Sequence, residues 1–138
     1  MGGATADEVP SIYIFPNLYI QPVNSHYRVY WPLSPGKTEV ECYFYRLGGA
    51  SEQQQQTMLT AFNWWATASA FGTPEDIEAF AKCQEGFEAR AVEWLDFSRG
   101  LHREVCTGDL IVGHFEDETA NRGMHREWLR LMSVDDLV

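Results

Sequence analysis

No apolar run in this sequence approaches the ~18 residues that a membrane-crossing helix takes, so nothing in it reads as a membrane span. Positive charge is scarce. Ten Lys and Arg stand against 20 Asp and Glu, a net charge of −10. That argues against nucleic acid as a partner, because neutralising a phosphate backbone takes clustered Lys and Arg. Cysteines are few: Cys42, Cys83 and Cys106, an odd number, widely spaced and without a Cys-x-x-Cys pair. They form neither a disulfide framework nor a zinc site. No Cys-x-His or Cys-x-x-His pair is present, so this chain does not by itself hold an iron–sulfur cluster of mixed Cys and His ligation. The histidines are His26, His102, His114 and His125, and no two of them form a His-x(3–5)-His pair. The start, "MGGATADEVPS", lacks a basic segment followed by an apolar one, so no secretory signal is expected and the expected location is cytoplasmic.

What is present suits one folded domain: 138 residues, 45% hydrophobic and 14% aromatic, enough for a core. Residues 1–10 are small and polar and are expected to be a flexible arm, with 11–138 as the folded part. "SIYIFPNLYIQP" (11–22) is rich in Ile and Tyr and is broken by Pro16-Asn17, which predicts two short strands or a broken edge strand. "HYRVYWPLSPGKTEVECYFYRL" (26–47) predicts a hairpin turning at "SPGK". In its second arm Val40, Cys42, Phe44 and Arg46 alternate with Glu39, Glu41, Tyr43 and Tyr45. One face therefore meets a core and the other is more polar.

After Gly48-Gly49 the pattern turns helical. Ser51 is a candidate cap for a helix in which Met58, Leu59, Phe62 and Trp65 recur at helical spacing. In the next helix Thr73 is the expected N-cap and Pro74 the first helical residue. Ile77, Phe80, Gln84, Phe87, Ala91 and Trp94 form an apolar stripe that predicts a helix over about 74–97. A strand is expected within 110–115 and a helix within 116–133, with Met124, Trp128, Leu131 and Met132 on its apolar side. Strands first and helices after predict an α+β fold, an antiparallel sheet packed against helices.

The acidic pair Glu75-Asp76 stands just behind Phe71-Gly72. An acid at the third position after Thr73 suits a variant capping box, and carboxylates in a first turn favour the helix dipole. A cap would fold back on backbone N–H groups; a ligand would project into a cavity. Both readings of Asp76 are open on the residues alone.

Five segments in order, "FPNLYI" (15–20), "PLSPGKTEVECYFY" (32–45), "PEDIEAFAKCQEGFEA" (74–89), "EWLDFSRGL" (93–101) and "REWLRLM" (126–132), carry a resemblance. Over about residues 11–133 the chain resembles the C-terminal part of the catalytic domain of the large (α) subunit of Rieske non-heme iron aromatic-ring-hydroxylating dioxygenases. Within that family the segment leading to "SRG" is most similar to the benzoate, anthranilate and phenylpropionate side. The resemblance implies a helix-grip (START-like) fold, in which a curved antiparallel sheet wraps against helices around a mononuclear Fe(II). It implies that Asp76, second of the acidic pair, is the carboxylate of a two-His, one-carboxylate ligand set. It implies that Phe71 and Phe80 line a substrate pocket, Phe80 one turn beyond Asp76. The complete enzyme would dihydroxylate an aromatic ring with O₂ and electrons from NAD(P)H.

The family's Asp-x-x-His-x(4)-His motif and its cluster-binding pairs for the 2Fe-2S centre do not occur in this sequence. Phe71-Gly72 also runs directly into Thr73-Pro74, where the family has a longer Gly-containing loop. Whether this chain is itself an enzyme is therefore left open. The alternative is a non-catalytic module that self-associates through strands 26–47, since half a grip fold exposes a sheet edge and an apolar face. Association with other dioxygenase subunits, or with a separate chain carrying the missing motifs, is the third arrangement. For the remaining candidates the plain readings are favoured. Exposed or hydrogen-bonded roles suit the four histidines, a small buried role suits Cys83, a bond to carbonyls or a nearby acid suits Arg99, and packing roles suit Trp64, Trp65 and Trp128.

Overall fold

A computed structural model describes residues 11–133, so the expected arm at 1–10 lies outside the described residues. The chain divides into two compact units at Ala91/Val92. The first holds strands β1 (Ile12–Ile14), β2 (Leu18–Gln21), β3 (His26–Ser34) and β4 (Lys37–Phe44), then helices α1 (Glu52–Trp65) and α2 (Gly72–Ala89). The second holds a 3-10 turn (Leu101–Arg103), strands β5 (Val105–Thr107) and β6 (Leu110–Val112), and helix α3 (Thr119–Met132). The α+β expectation holds, with antiparallel pairing throughout.

In the first unit the strands lie in sequence order, β1-β2-β3-β4. Pro16-Asn17 breaks 11–22 into two strands, as Pro would, since it has no N–H for a ladder. The long hairpin turns at Pro35-Gly36, and its register pairs His26 with Phe44, Arg28 with Cys42 and Tyr30 with Val40. Directly opposed residues share a face. His26, Arg28 and Tyr30 therefore stand on the same side as Phe44, Cys42 and Val40, which is the side predicted to meet a core. Helix α1 covers part of it: the Phe62 ring lies 5.3 Å from Phe44 and 5.9 Å from His26. Ser51 caps α1 as expected, its hydroxyl accepting from the Gln54 N–H while the Gln54 side chain accepts from the Ser51 N–H.

Helix α2 departs from expectation at both ends. It begins at Gly72, with Phe71 at the N-cap position and no side-chain cap, so Thr73 is not the cap. Instead the Thr73 hydroxyl donates to the Trp65 carbonyl at the end of α1 (3.2 Å). This ties the α1–α2 corner, where a Cβ on Gly72 would sit 2.9 Å from that same oxygen. The helix ends at Ala89, not near 97, because Arg90 adopts a left-handed conformation (φ 48°). No Gly or Asn marks that stop in the sequence. Trp94 is thus off the helix and 83% exposed, and α2 buries none of its residues, Cys83 included. Trp64, Trp65 and Trp128 are exposed as well, against the packing role expected of them. The apolar stripe of α2 is real in sequence but reaches no core among the described residues.

His26 also departs from expectation. It is 2% exposed, and neither ring nitrogen has a hydrogen-bond partner. Burial, with the nearby Arg28 charge adding to it, pushes its pKa down from 6.5 to about 4. Above the unfolded value neither state is protonated. Between 6.5 and 4 the unfolded chain takes up a proton that the folded chain refuses, so stability falls as pH drops through that window and levels off below it. Urea unfolding of wild type and His26→Phe across pH 7 to 4 is expected to show a loss of up to ~3 kcal/mol in wild type that the variant lacks. Parallel curves for the two proteins would contradict this.

The second unit is held by ion pairs more than by packing. Glu104, its side chain 6% exposed, accepts from Arg122 (2.5 Å) and lies 3.6 Å from Arg126. Arg122 also donates to the Phe97 and Arg99 carbonyls. Arg99 meets Glu118 at 2.5 Å, the nearby acid expected for it. Arg103 grips Asp117 with two nitrogens (2.8 and 2.5 Å), and the His114 backbone N–H donates to the same carboxylate. These bonds lower the Asp117 pKa to about 2, with Arg103 the main cause. Gly100 makes the pairing possible. It is left-handed (φ 78°), and a Cβ there would fall 2.0 Å from Asp117 Cγ. Gly100→Ala is expected to cost more than ~1 kcal/mol and to speed amide exchange from Arg99 to Thr119. Exchange indistinguishable from wild type would contradict that.

Candidate functional site

The face of β3 that turns toward α2 carries the chemistry. Alternation places His26, Arg28 and Tyr30 there in succession. Arg28 lies on a strand paired on both sides, opposite Tyr19 of β2 and Cys42 of β4, and its side chain is only 13% exposed. It reaches α2 with both terminal nitrogens. Nη1 donates to Asp76 Oδ2 and Nη2 donates to Thr73 Oγ1, each at 3.3 Å. Burial works against the guanidinium charge, but the bond to Asp76 and the proximity of Tyr30 hold its pKa above the usual value. Burial pushes up both the Tyr30 phenol and the Cys42 thiol, so each stays neutral near pH 7 and Cys42 is no nucleophile.

Asp76 therefore does not cap its helix. Its recorded partner is a cation on the sheet, and its side chain remains 51% exposed, with Oδ1 uncommitted among the described residues. One turn further along α2, Phe80 lines a cleft of about 500 Å³ between the helix and the β3–β4 hairpin. Tyr30, Pro35 and Val40 form the sheet side; Ile77, Ala81 and Gln84 complete the helix side; Lys37 stands at the hairpin end. Phe71 lies apart from that lining, at the start of α2, edge-on to Trp65 with ring centroids 5.8 Å apart. The structure thus brings Asp76 and Phe80 to neighbouring turns of one helix beside an apolar cleft, and places Phe71 at the helix corner.

The donor set for a metal is incomplete. Among the described residues no three His, Cys, Asp or Glu side chains are placed to share an ion. His26 is enclosed by Tyr19 and Phe62 rings, while His102, His114 and His125 belong to the second unit, the His125 ring tilted against Phe97 with centroids 5.1 Å apart. A single carboxylate already paired to a guanidinium does not fit Fe(II) by itself. Arg28 is the residue that sequence reasoning missed. The signal was there: an Arg directly across from Cys42 on a core-facing side needs an anion to meet it.

A family described as "Ring hydroxylating alpha subunit (catalytic domain)" matches residues 4–134. The 2-halobenzoate 1,2-dioxygenase large subunit of Burkholderia cepacia is 35% identical over 141 residues, covering 94% of this chain and 30% of its own length. The anthranilate 1,2-dioxygenase large subunit of Acinetobacter baylyi is 28% identical, covering 86% of this chain and 28% of its own length. The toluate 1,2-dioxygenase subunit alpha of Pseudomonas putida is 32% identical over 88 residues, 63% of this chain and 19% of its own length. The chain spans less than a third of each of these relatives. It belongs to the ring-hydroxylating alpha subunit family, within the catalytic domain.

Proposed function

We propose that this chain supplies the carboxylate ligand and part of the substrate wall of an aromatic-ring-hydroxylating dioxygenase, in a helix-grip catalytic domain completed by other polypeptide. The complete protein would dihydroxylate an aromatic carboxylic acid in the cytoplasm with O₂. Fe(II) would be held by Asp76 and two histidines that this sequence does not contain, and a 2Fe-2S cluster would lie outside this chain. The observation that carries the reading is the cleft beside Asp76. Phe80, Tyr30, Val40 and Ile77 give an aromatic ring an apolar bed, and Lys37 offers a cation to a carboxylate at the hairpin end. The names of the relatives, 2-halobenzoate, anthranilate and toluate, all denote ring acids. The chain's own residues bind and orient; the oxidative chemistry belongs to the iron when the ligand set is complete.

Benzoate binding to the purified chain, followed by chemical-shift changes of Phe80 and Ile77, tests this. Phe80→Ala is expected to weaken binding about fivefold, the loss of partial burial of one ring. Lys37→Met is expected to weaken benzoate about threefold and leave uncharged toluene unchanged. Shifts that map elsewhere, or equal binding by all three proteins, would contradict the reading.

A second reading has its own support. β4 is an eight-residue edge strand. Phe115 is 94% exposed, and Ile77, Phe80 and Phe87 of α2 are exposed as well. Such edges and faces favour pairing with another chain, a second copy included. Light scattering across a concentration series is expected to show self-association through the 26–47 hairpin, and a clean monomer at high concentration would exclude it.

A further inference from the structure

We infer that Arg28 is the resident counter-ion of Asp76 and competes with a divalent metal for its carboxylate. The inference rests on the proposed function only in taking Asp76 as a ligand of the completed site; the competition itself rests on geometry. The Arg28 side chain is only 13% exposed, so its charge needs a compensating anion. Its cross-strand neighbours, Tyr19 and Cys42, are not acids. Thr73 accepts one hydrogen bond but carries no charge. Among the described residues Asp76 is the only carboxylate that Arg28 meets, at 3.3 Å.

A metal ion bound to that carboxylate would stand within a few ångströms of the guanidinium, cation against cation, in a site screened poorly by water on the Arg28 side. The two cations cannot both have full use of Asp76. With the pair closed, the carboxylate is neutralised and α2 is docked on the sheet. With Oδ2 given to Arg28, Asp76 has only Oδ1 left for a metal, and a lone oxygen beside a guanidinium does not fit one. Arg28 thus keeps Asp76 from collecting adventitious metal. It also carries Thr73 and the first turn of α2 in a defined position while it does so.

The test is an anaerobic Co(II) titration of the full chain, by calorimetry and visible absorption, on wild type, Asp76→Asn, Arg28→Gln and the double variant. Wild type and Asp76→Asn should bind alike. Arg28→Gln should bind about fivefold more tightly, the fold-change of one half-exposed ion pair, and the double variant should lose that gain. Wild type binding more tightly than Asp76→Asn, or Arg28→Gln binding no more tightly than wild type, would overturn the inference. Should Arg28→Gln fail to fold, the NMR signals of the Arg28 guanidinium decide. They are expected to be slowly exchanging and rotationally restricted in wild type and to be released in Asp76→Asn. Unchanged signals would overturn it. Benzoate binding in the cleft is read separately, so failure of the substrate reading leaves a different trace.

Discussion

One ion pair, Arg28 with Asp76, fixes the relation between sheet and helix on which the candidate site depends. The constraint begins in the strand. The Arg28 side chain is only 13% exposed, and its guanidinium is directed at α2. The helix responds with two residues of its first turn, Thr73 and Asp76. Thr73 passes the constraint on, donating to the carbonyl that ends α1. At this corner Ala66 and Ala70 are the buried apolar residues, and Gly72 allows the close approach. A helix that buries none of its own residues is thereby held by polar contacts at one end. The cleft that Phe80 and Ile77 share with the hairpin exists because that end is held.

The second unit shows the same economy in a different form. Its strands have three residues each, and most of its large apolar side chains stay exposed, with Phe97, Ile111 and Met124 half-buried. Order comes from arginines that reach across loops: Arg122 to Glu104 and two carbonyls, Arg103 to Asp117, Arg99 to Glu118. In both units, then, charge-assisted hydrogen bonds do what a core would do in a larger domain. These bonds are directional, so they fix geometry well while adding modest stability where they are exposed.

How much of this could be read in advance follows from the range of each signal. Local patterns were legible. Alternation at 26–47 placed the hairpin, Pro16 the break between β1 and β2, and Ser51 the start of α1. Family resemblance pointed to Asp76 and Phe80 as neighbours on one helix. What was not legible needed a partner remote in sequence. Thr73 has the chemistry of a cap, but the Trp65 carbonyl and Arg28 claim its hydroxyl. The stripe from Ile77 to Trp94 looked like one helix until Arg90 turned left-handed, which no Gly or Asn announced. β5 was overlooked because three residues are too few for periodicity to show. His26 was taken for a solvated or bonded ring because no sequence rule foretells that Tyr19 and Phe62 enclose it.

The most direct measurement of the central claim is the thermodynamic coupling between Arg28 and Asp76. It is obtained from the unfolding free energies of wild type, Arg28→Gln, Asp76→Asn and the double variant at neutral pH. If the pair docks α2 on the sheet, the coupling should be about 1 kcal/mol and favourable, with the two single variants each loosening the first turn of α2. Additive effects, with coupling indistinguishable from zero, would mean that the two charges merely lie near each other and that something else positions the helix.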